Sequence, residues 1–550
     1  MHYLLLKSAK TTRELAALLG YSKASSLTGI VYDHSHLGNR YTSFDIPKKS
    51  GGIRTIDAPN AHLKLLQHRI SILLQDCISI IEKNNGIENK IVHGFKRKLS
   101  ILTNASCHTN KKYVLNLDIE DFFGSINFGR VRGYFISNKY FRLDPKIATI
   151  LAQIACYNNG LPQGSPCSPV ISNLIFQSTD IKLLNFSKKN NLIYTRYADD
   201  LTFSSNEKIS KKIISEIILI IEGDNNKKNF YVNDAKTRLQ EKFFRQSVTG
   251  LTVNKKVSVS KKYFRNARAA VENYIRNGSF EILDEKDNVN KLDGVLSFIY
   301  HVDQFEKNRL SHNLNGSEIS SFLRTLNSRE KLYRDFFVYD YFFKNQTPLV
   351  IGEGKTDSIY LMHAMKKMYI NDPRFFEKKD GLYTSKIKFF QWNKKVNHLL
   401  GVEGGGGTLS NFITGLKAIF NSSSRFKSID FKKIRPIVFL VDTDNSGIKA
   451  LRSLSSVSID VNDIKSSYIA KDVKSVITVS TKKDMDIEDL FHKDIKDFKL
   501  NGATFELYAK PNQKSYTKIV FAQQVVKKHA EPKHMKKFSP LFEEIYKAFN

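Results

Sequence analysis

Apolar residues in the first half of the chain fall into short blocks separated by polar turns, and two of those blocks carry acids where a buried strand would have none. Val114 to Phe123 reads Val-Leu-Asn-Leu-Asp-Ile-Glu-Asp-Phe-Phe, and the period of two along a strand places Asp118 on the face opposite Leu117 and Ile119. Leu192 to Thr195 and Leu201 to Phe203 read as the arms of a β-hairpin with Tyr197-Ala198-Asp199-Asp200 at its tip. Adjacent carboxylates there repel each other unless a cation neutralises them. Between these blocks, Leu161-Pro162-Gln163-Gly164-Ser165-Pro166-Cys167-Ser168-Pro169 runs into the apolar Val170, Ile171, Leu174 and Ile175. That pattern predicts a proline-stiffened loop opening a helix, with backbone N–H groups and Gln163 free to contact a nucleotide and template. Nearer the N-terminus, Ile46 to Arg54 places a Gly51-Gly52 turn between two strand-like runs flanked by cations.

The periodicity then changes twice. Residues 255 to 345 read as amphipathic helices around Tyr263 to Ile275, Leu292 to Phe305 and Ser328 to Phe343, with a polar insert at Asp284 to Asn290. After Asn345-Gln346-Thr347-Pro348 the pattern becomes strand, acidic loop and helix. Leu349 to Gly352 leads into Glu353-Gly354-Lys355-Thr356-Asp357, and Pro436 to Val441 leads into Asp442-Thr443-Asp444-Asn445-Ser446-Gly447. Strand ends of this kind are where α/β folds carry their sites. The reading is a multidomain α/β chain divided at 1–254, 255–345 and 346–550.

Three carboxylates from two strands, Asp118, Asp199 and Asp200, suit a two-metal site. That chemistry holds ions about 3.5 to 4 Å apart, one activating an attacking hydroxyl and one stabilising a leaving pyrophosphate. Composition agrees with a nucleic-acid partner: the 550 residues carry a formal charge of +32 and the pI is near 9.7, so counterion release would drive phosphate-backbone binding. AT-rich coding is the alternative source of that lysine content, so the charge is supporting evidence only. The four cysteines, Cys77, Cys107, Cys156 and Cys167, are widely spaced and indicate neither a zinc site nor a disulfide framework. With no cleavable signal pattern and no apolar run of about 18 residues, the expectation is a soluble, cytoplasmic protein without a membrane partner.

The Pro162-Gln163-Gly164 loop, with Asp118 before it and Tyr197-Ala198-Asp199-Asp200 after it, resembles the central motif of reverse transcriptases. Asn104-Ala105-Ser106-Cys107-His108 is similar to the Asn-Ala-x-x-His signature of the retron branch, and Val248-Thr249-Gly250 to its Val-Thr-Gly signature. The resemblance covers roughly residues 10 to 340 and implies a right-hand polymerase of fingers, palm and helical thumb that uses Mg²⁺ and deoxynucleoside triphosphates. It implies Lys48 and Arg54 as triphosphate contacts, Phe123 as a gate against the ribose 2′-hydroxyl, Gln163 and Gly164 as substrate contacts, and Lys236 near the leaving pyrophosphate. Asn104, His108, Val248, Thr249 and Gly250 are its RNA-recognition residues. The implied partner is a cognate structured noncoding RNA, primed from a guanosine 2′-hydroxyl to give the branched RNA-DNA hybrid called msDNA.

Glu353 with the Asp442-x-Asp444 pair resembles the Toprim domain of topoisomerases, primases and related nucleases. Gly404 to Gly407 stands where that family has a glycine turn, and Glu488 would complete a metal site as in the nuclease branch, or else simply start a helix. No tyrosine is placed as a topoisomerase nucleophile. Fusions of a retron enzyme to Toprim imply an antiviral effector restrained by the polymerase with its hybrid, released by a viral trigger protein, and acting on RNA or DNA, tRNA included. Two alternatives remain open: a Toprim-like domain serving as a binding platform, and a group II intron or diversity-generating enzyme.

Overall fold

The acid-bearing block and the acidic hairpin pair in one sheet. The computed structural model describes residues 2–32, 39–48, 51–86, 90–223, 230–311, 325–345, 347–402, 411–412, 415–416, 418–419, 422–426, 437–441, 467–470, 475–479, 486–507 and 515–549. They belong to two compact units, Met1–Ser260 and Lys261–Asn550.

In the first unit, β1 (Tyr41–Pro47) and β2 (Ile53–Pro59) form a hairpin in register from Tyr41↔Pro59 to Pro47↔Ile53. Gly51 and Gly52, at φ +87° and +81°, supply the left-handed backbone that this turn requires. The five-stranded sheet contains β3 (Tyr113–Glu120), β4 (Ile193–Tyr197), β5 (Asp200–Ser205), β6 (Tyr231–Val232) and β7 (Arg238–Glu241). Its order is β4-β5-β3-β6, with β7 also pairing β3, and every pairing is antiparallel. Leu115, Leu117 and Ile119 of β3 and Leu201 and Phe203 of β5 turn into a core shared with the helices Ala61–Asn84, Pro145–Ala155 and Ser168–Lys189. Each such side chain contributes about 1.5 to 3 kcal/mol by burial. A one-residue slip of β3 would bury Asp118 in their place, so the apolar face fixes where the acid points. A tight hairpin, β8 (Ser247–Val248) and β9 (Leu251–Thr252), follows β7.

In the second unit, the helices Lys261–Asn277, Val289–Ser311 and Ser328–Val338 occupy the stretch expected to be helical, the last continuing as a wider turn over Tyr339–Lys344. The polar insert begins in a small hairpin, β10 (Glu281–Ile282) and β11 (Glu285–Lys286). Next come β12 (Leu349–Gly352), the hairpin β13 (Phe376–Lys379) and β14 (Leu382–Ser385), β15 (Lys388–Phe389), β16 (Ile437–Val441), β17 (Ser467–Ala470) and β18 (Ser475–Val479). A sheet of order β15-β12-β16-β18-β17 is parallel except for β17, and the helix Asp357–Tyr369 follows β12. The helical stretch and the α/β stretch share ion pairs: Arg425 reaches Asp335 at 2.8 Å and Glu272 at 2.9 Å. Among the described residues no helix is long and apolar enough to cross a membrane.

Candidate active site

Pairing of β4 and β5 from Ile193↔Ser204 to Tyr197↔Asp200 leaves Ala198 and Asp199 as a two-residue loop. Loops this short need positive φ, and Ala198 supplies it at +58°, a conformation that costs a residue with a Cβ about 1 to 2 kcal/mol. The fully buried Arg196 braces the turn. Its guanidinium grips Asp180 with two bonds, of 2.7 and 2.9 Å, and donates from Nη1 to the Ala198 carbonyl at 2.9 Å. Gly94 backs the tip so closely that a Cβ there would lie 2.5 Å from the Ala198 nitrogen.

Register places Asp118 opposite Asp200, and the Ile119 N–H donates to the Asp199 carbonyl at 3.1 Å. Burial and then the neighbouring Asp118 raise the Asp199 carboxyl above its ordinary range. Burial, then Asp199 and Asp118, push Asp200 up to about 6. Lys236, from the short turn Asp234–Lys236, places its ammonium 2.8 Å from Asp118 Oδ2. Among the described residues no three His, Cys, Asp or Glu side chains converge tightly enough to hold one ion as they stand. The donor set nevertheless fits a hard divalent cation, because the ligands are carboxylate oxygens of residues that stand beside one another, Asp118 opposite Asp200 and next to Asp199.

Above these acids lies a cleft of about 1050 Å³. Lys48 and Arg54 of the β1–β2 hairpin, Phe123, Gln163, Asp118, Asp199 and Lys236 all line it. Asp200 and Gly164 do not. Gly164 acts from behind: at φ +143° its Cβ position lies 2.4 Å from the Asp57 carbonyl oxygen, and the Asp57 N–H donates to the Gln163 carbonyl at 3.0 Å. The loop is thereby seated on β2. Both Phe122 and Phe123 border the cleft, but the Phe122 ring is buried against Phe176 and Phe230, whereas Phe123 is partly exposed with Phe95 6.3 Å away. Glu120, Asp121, Phe95 and Asn233 also line the cleft. Glu120 and Asp121 were signalled by the same acidic block as Asp118, while Phe95 and Asn233 stand in stretches with no periodic signal.

The sequence model of the family described as reverse transcriptase (RNA-dependent DNA polymerase) matches residues 46–264, a span that contains this whole cleft. The Retron Ec86 reverse transcriptase of Escherichia coli is 34% identical over 277 residues, covering 49% of this chain and 79% of the relative. The chain belongs to the retron reverse transcriptases. The Retron Mx65 reverse transcriptase of Myxococcus xanthus is 29% identical over 320 residues, covering 55% of this chain and 70% of that one. Among solved structures, apo telomerase from Candida tropicalis aligns over 70% of this chain and 66% of its own at 12% identity, with a TM-score of 0.34.

Both signatures of this reverse transcriptase branch meet on one helix, Ile101–Ser106, which packs against β4, β8 and β9. Asn104 and His108 are fully buried. The Thr195 hydroxyl donates to Asn104 Oδ1 at 2.6 Å, while His108 bonds Thr195 through Nε2 and Ser204 through Nδ1, each at 2.7 Å. Of the residues expected to recognise RNA, Asn104, His108 and Val248 have fully buried side chains, and the bonds of Asn104 and His108 to Thr195 and Ser204 tie the helix to the acidic hairpin. Thr249 and Gly250, at φ +45° and +83°, form the partly exposed tip of that turn.

The C-terminal acids are placed in part. Glu353 follows β12, whose last residue Gly352 pairs with Leu440, one residue before β16 ends at Val441. Asp442, Asp444 and the Gly404 to Gly407 run lie outside the described residues. Glu488 is buried in the turn Ile487–Leu490 and pairs with Lys518 at 3.2 Å; burial raises its carboxyl, and Lys518 opposes that shift.

Proposed function

We propose that this chain is the RNA-directed DNA polymerase of a retron, copying a cognate structured RNA into the branched hybrid msDNA with Mg²⁺ and deoxynucleoside triphosphates. The observation that carries the reading is the cleft in which Asp118 and Asp199 form the floor while Lys48, Arg54, Gln163 and Phe123 surround the space above. Lys48 and Arg54 bind the triphosphate, Arg54 through a planar fork suited to phosphate oxygens. Gln163, held by the Gly164 seat, orients the nucleotide, and the Phe123 ring excludes a 2′-hydroxyl. Asp118 and Asp199, with Asp200 behind them, would hold the divalent ions, whose chemistry is to activate the primer hydroxyl and stabilise the leaving pyrophosphate. Lys236 neutralises charge beside Asp118. In the test, purified protein with its own RNA and Mg²⁺ extends DNA, and Asp199→Asn abolishes extension while RNA binding stays near wild type. Extension by Asp199→Asn at the wild-type rate sinks the assignment. Phe123→Val should admit ribonucleotides.

A second reading concerns residues 346–550: a Toprim-like, Mg²⁺-dependent nuclease effector in antiviral defence, restrained by the polymerase and its hybrid until a viral protein releases it. Glu353 at the end of a central parallel strand supports it, with Asp442 and Asp444 as further ligands and Glu488 as a fourth. Expression without the RNA should be toxic, and Glu353→Ala or Asp442→Ala should relieve toxicity without altering DNA synthesis. If those variants keep full antiviral protection, the domain is a non-catalytic binding platform.

A further inference from the structure

The turn after β7 exposes two adjacent aromatic rings to solvent: Phe243 is 99% exposed and Phe244 72%. The backbone beneath them is fixed. Asn254 Nδ2 donates to the Lys242 carbonyl at 3.0 Å and to the Phe244 carbonyl at 2.7 Å, while Asn254 Oδ1 accepts from the Gln246 N–H at 2.9 Å. Lys242 and Arg245 flank the rings in sequence, and Lys255 and Lys256, exposed, follow the bracing Asn254. Over 241–245 and 254–256, Glu241 is the one carboxylate against these four cations.

Two adjacent exposed rings on a braced turn, with cations next to them in the chain, match what unpaired bases need: flat faces for stacking and positive charge for the phosphates between them. An apolar protein surface would gain nothing from those four cations, and a duplex hides its base faces. We infer that Phe243 and Phe244 form a stacking platform for single-stranded nucleic acid, separate from the polymerase cleft, which neither ring lines. The platform rests on the polymerase reading only for the class of ligand, an unpaired stretch of the template RNA or of the product strand. Sequence preference is not expected, because every base offers a stacking face.

The full-length protein without nucleotides is titrated with a fluorescein-labelled single-stranded oligouridine and with an RNA duplex of the same length at fixed ionic strength. The pair Phe243→Leu and Phe244→Leu keeps apolar bulk but removes the flat faces; it should weaken single-strand binding by about tenfold or more. Duplex affinity should stay within about twofold, since phosphate contacts dominate it. The pair Phe243→Trp and Phe244→Trp should bind the single strand at least as tightly as wild type. Both rings are exposed, so neither pair disturbs the core. Wild-type single-strand affinity in the leucine pair overturns the platform, as does sedimentation showing that the rings mediate self-association while single-strand affinity is unchanged. Because no synthesis is measured, failure here is distinguishable from failure of the polymerase reading, which primer extension by the wild type decides.

Discussion

His108 is a titratable ring held where water cannot reach it. Burial first, then the nearby charges of His93 and Lys111, depress its pKa to about 3. A histidine depressed below its unfolded value binds its proton mainly in the unfolded chain, so its contribution to stability is complete above about pH 6.5 and lost as pH falls toward 3. Unfolding free energies from urea titrations between neutral pH and pH 5 should therefore fall more steeply for wild type than for His108→Gln, by up to about 1.4 kcal/mol per pH unit. Equal slopes would mean the ring is not sequestered. The Asp180–Arg196 pair makes a second residue-scale test. Asp180→Ala should cost about 3 to 5 kcal/mol by leaving a buried cation unpaired. Asp180→Leu with Arg196→Met should recover much of that stability yet still synthesise DNA poorly, because Nη1 no longer holds the Ala198 carbonyl. Asp118 was legible in the sequence because it interrupts an apolar strand, and Asp199 because it stands at the tip between two such strands. The burial of Asn104 and His108 was not, since the hydroxyls that satisfy them, on Thr195 and Ser204, stand about ninety residues away in the chain.

At the scale of elements, the β1–β2 hairpin and the Gln163 loop are joined by the backbone bond from Asp57 to Gln163, and Gly164 leaves no room for a side chain. Gly164→Ala must push the loop off β2, which displaces Gln163 relative to Lys48 and Arg54. The expected outcome in steady-state kinetics is a KM for deoxynucleotides raised by about tenfold, equivalent to about 1.4 kcal/mol of lost orientation, with RNA affinity unchanged. An unaltered KM would show that the seat does not position the substrate. The hairpin itself was readable from Gly51-Gly52 between apolar runs, and the helix Ser168–Lys189 from its proline-rich opening. Gly94 carried no such signal, because its requirement is set by Ala198, about one hundred residues distant, and a lone glycine does not declare its neighbour.

For the whole molecule, two compact units predict unfolding that is not two-state. Calorimetry should resolve two transitions, and Mg²⁺ with a deoxynucleoside triphosphate at a hundred times its Kd should stabilise one by about 2.7 kcal/mol. A uniform shift of a single transition would contradict that independence. The two units divide between Ser260 and Lys261, and the ion pairs joining Arg425 to Asp335 and Glu272 were not legible in the sequence, for charges paired across separate elements leave no local pattern. The helix Ile101–Ser106, wedged between β4 and the β8–β9 turn, also has a consequence for how such enzymes diversify. Its contacts tie segments 101–108, 193–204 and 247–252 into one packed block. Chimeras between relatives that cross over inside this block should lose function, whereas exchanges that carry all three segments together should keep it.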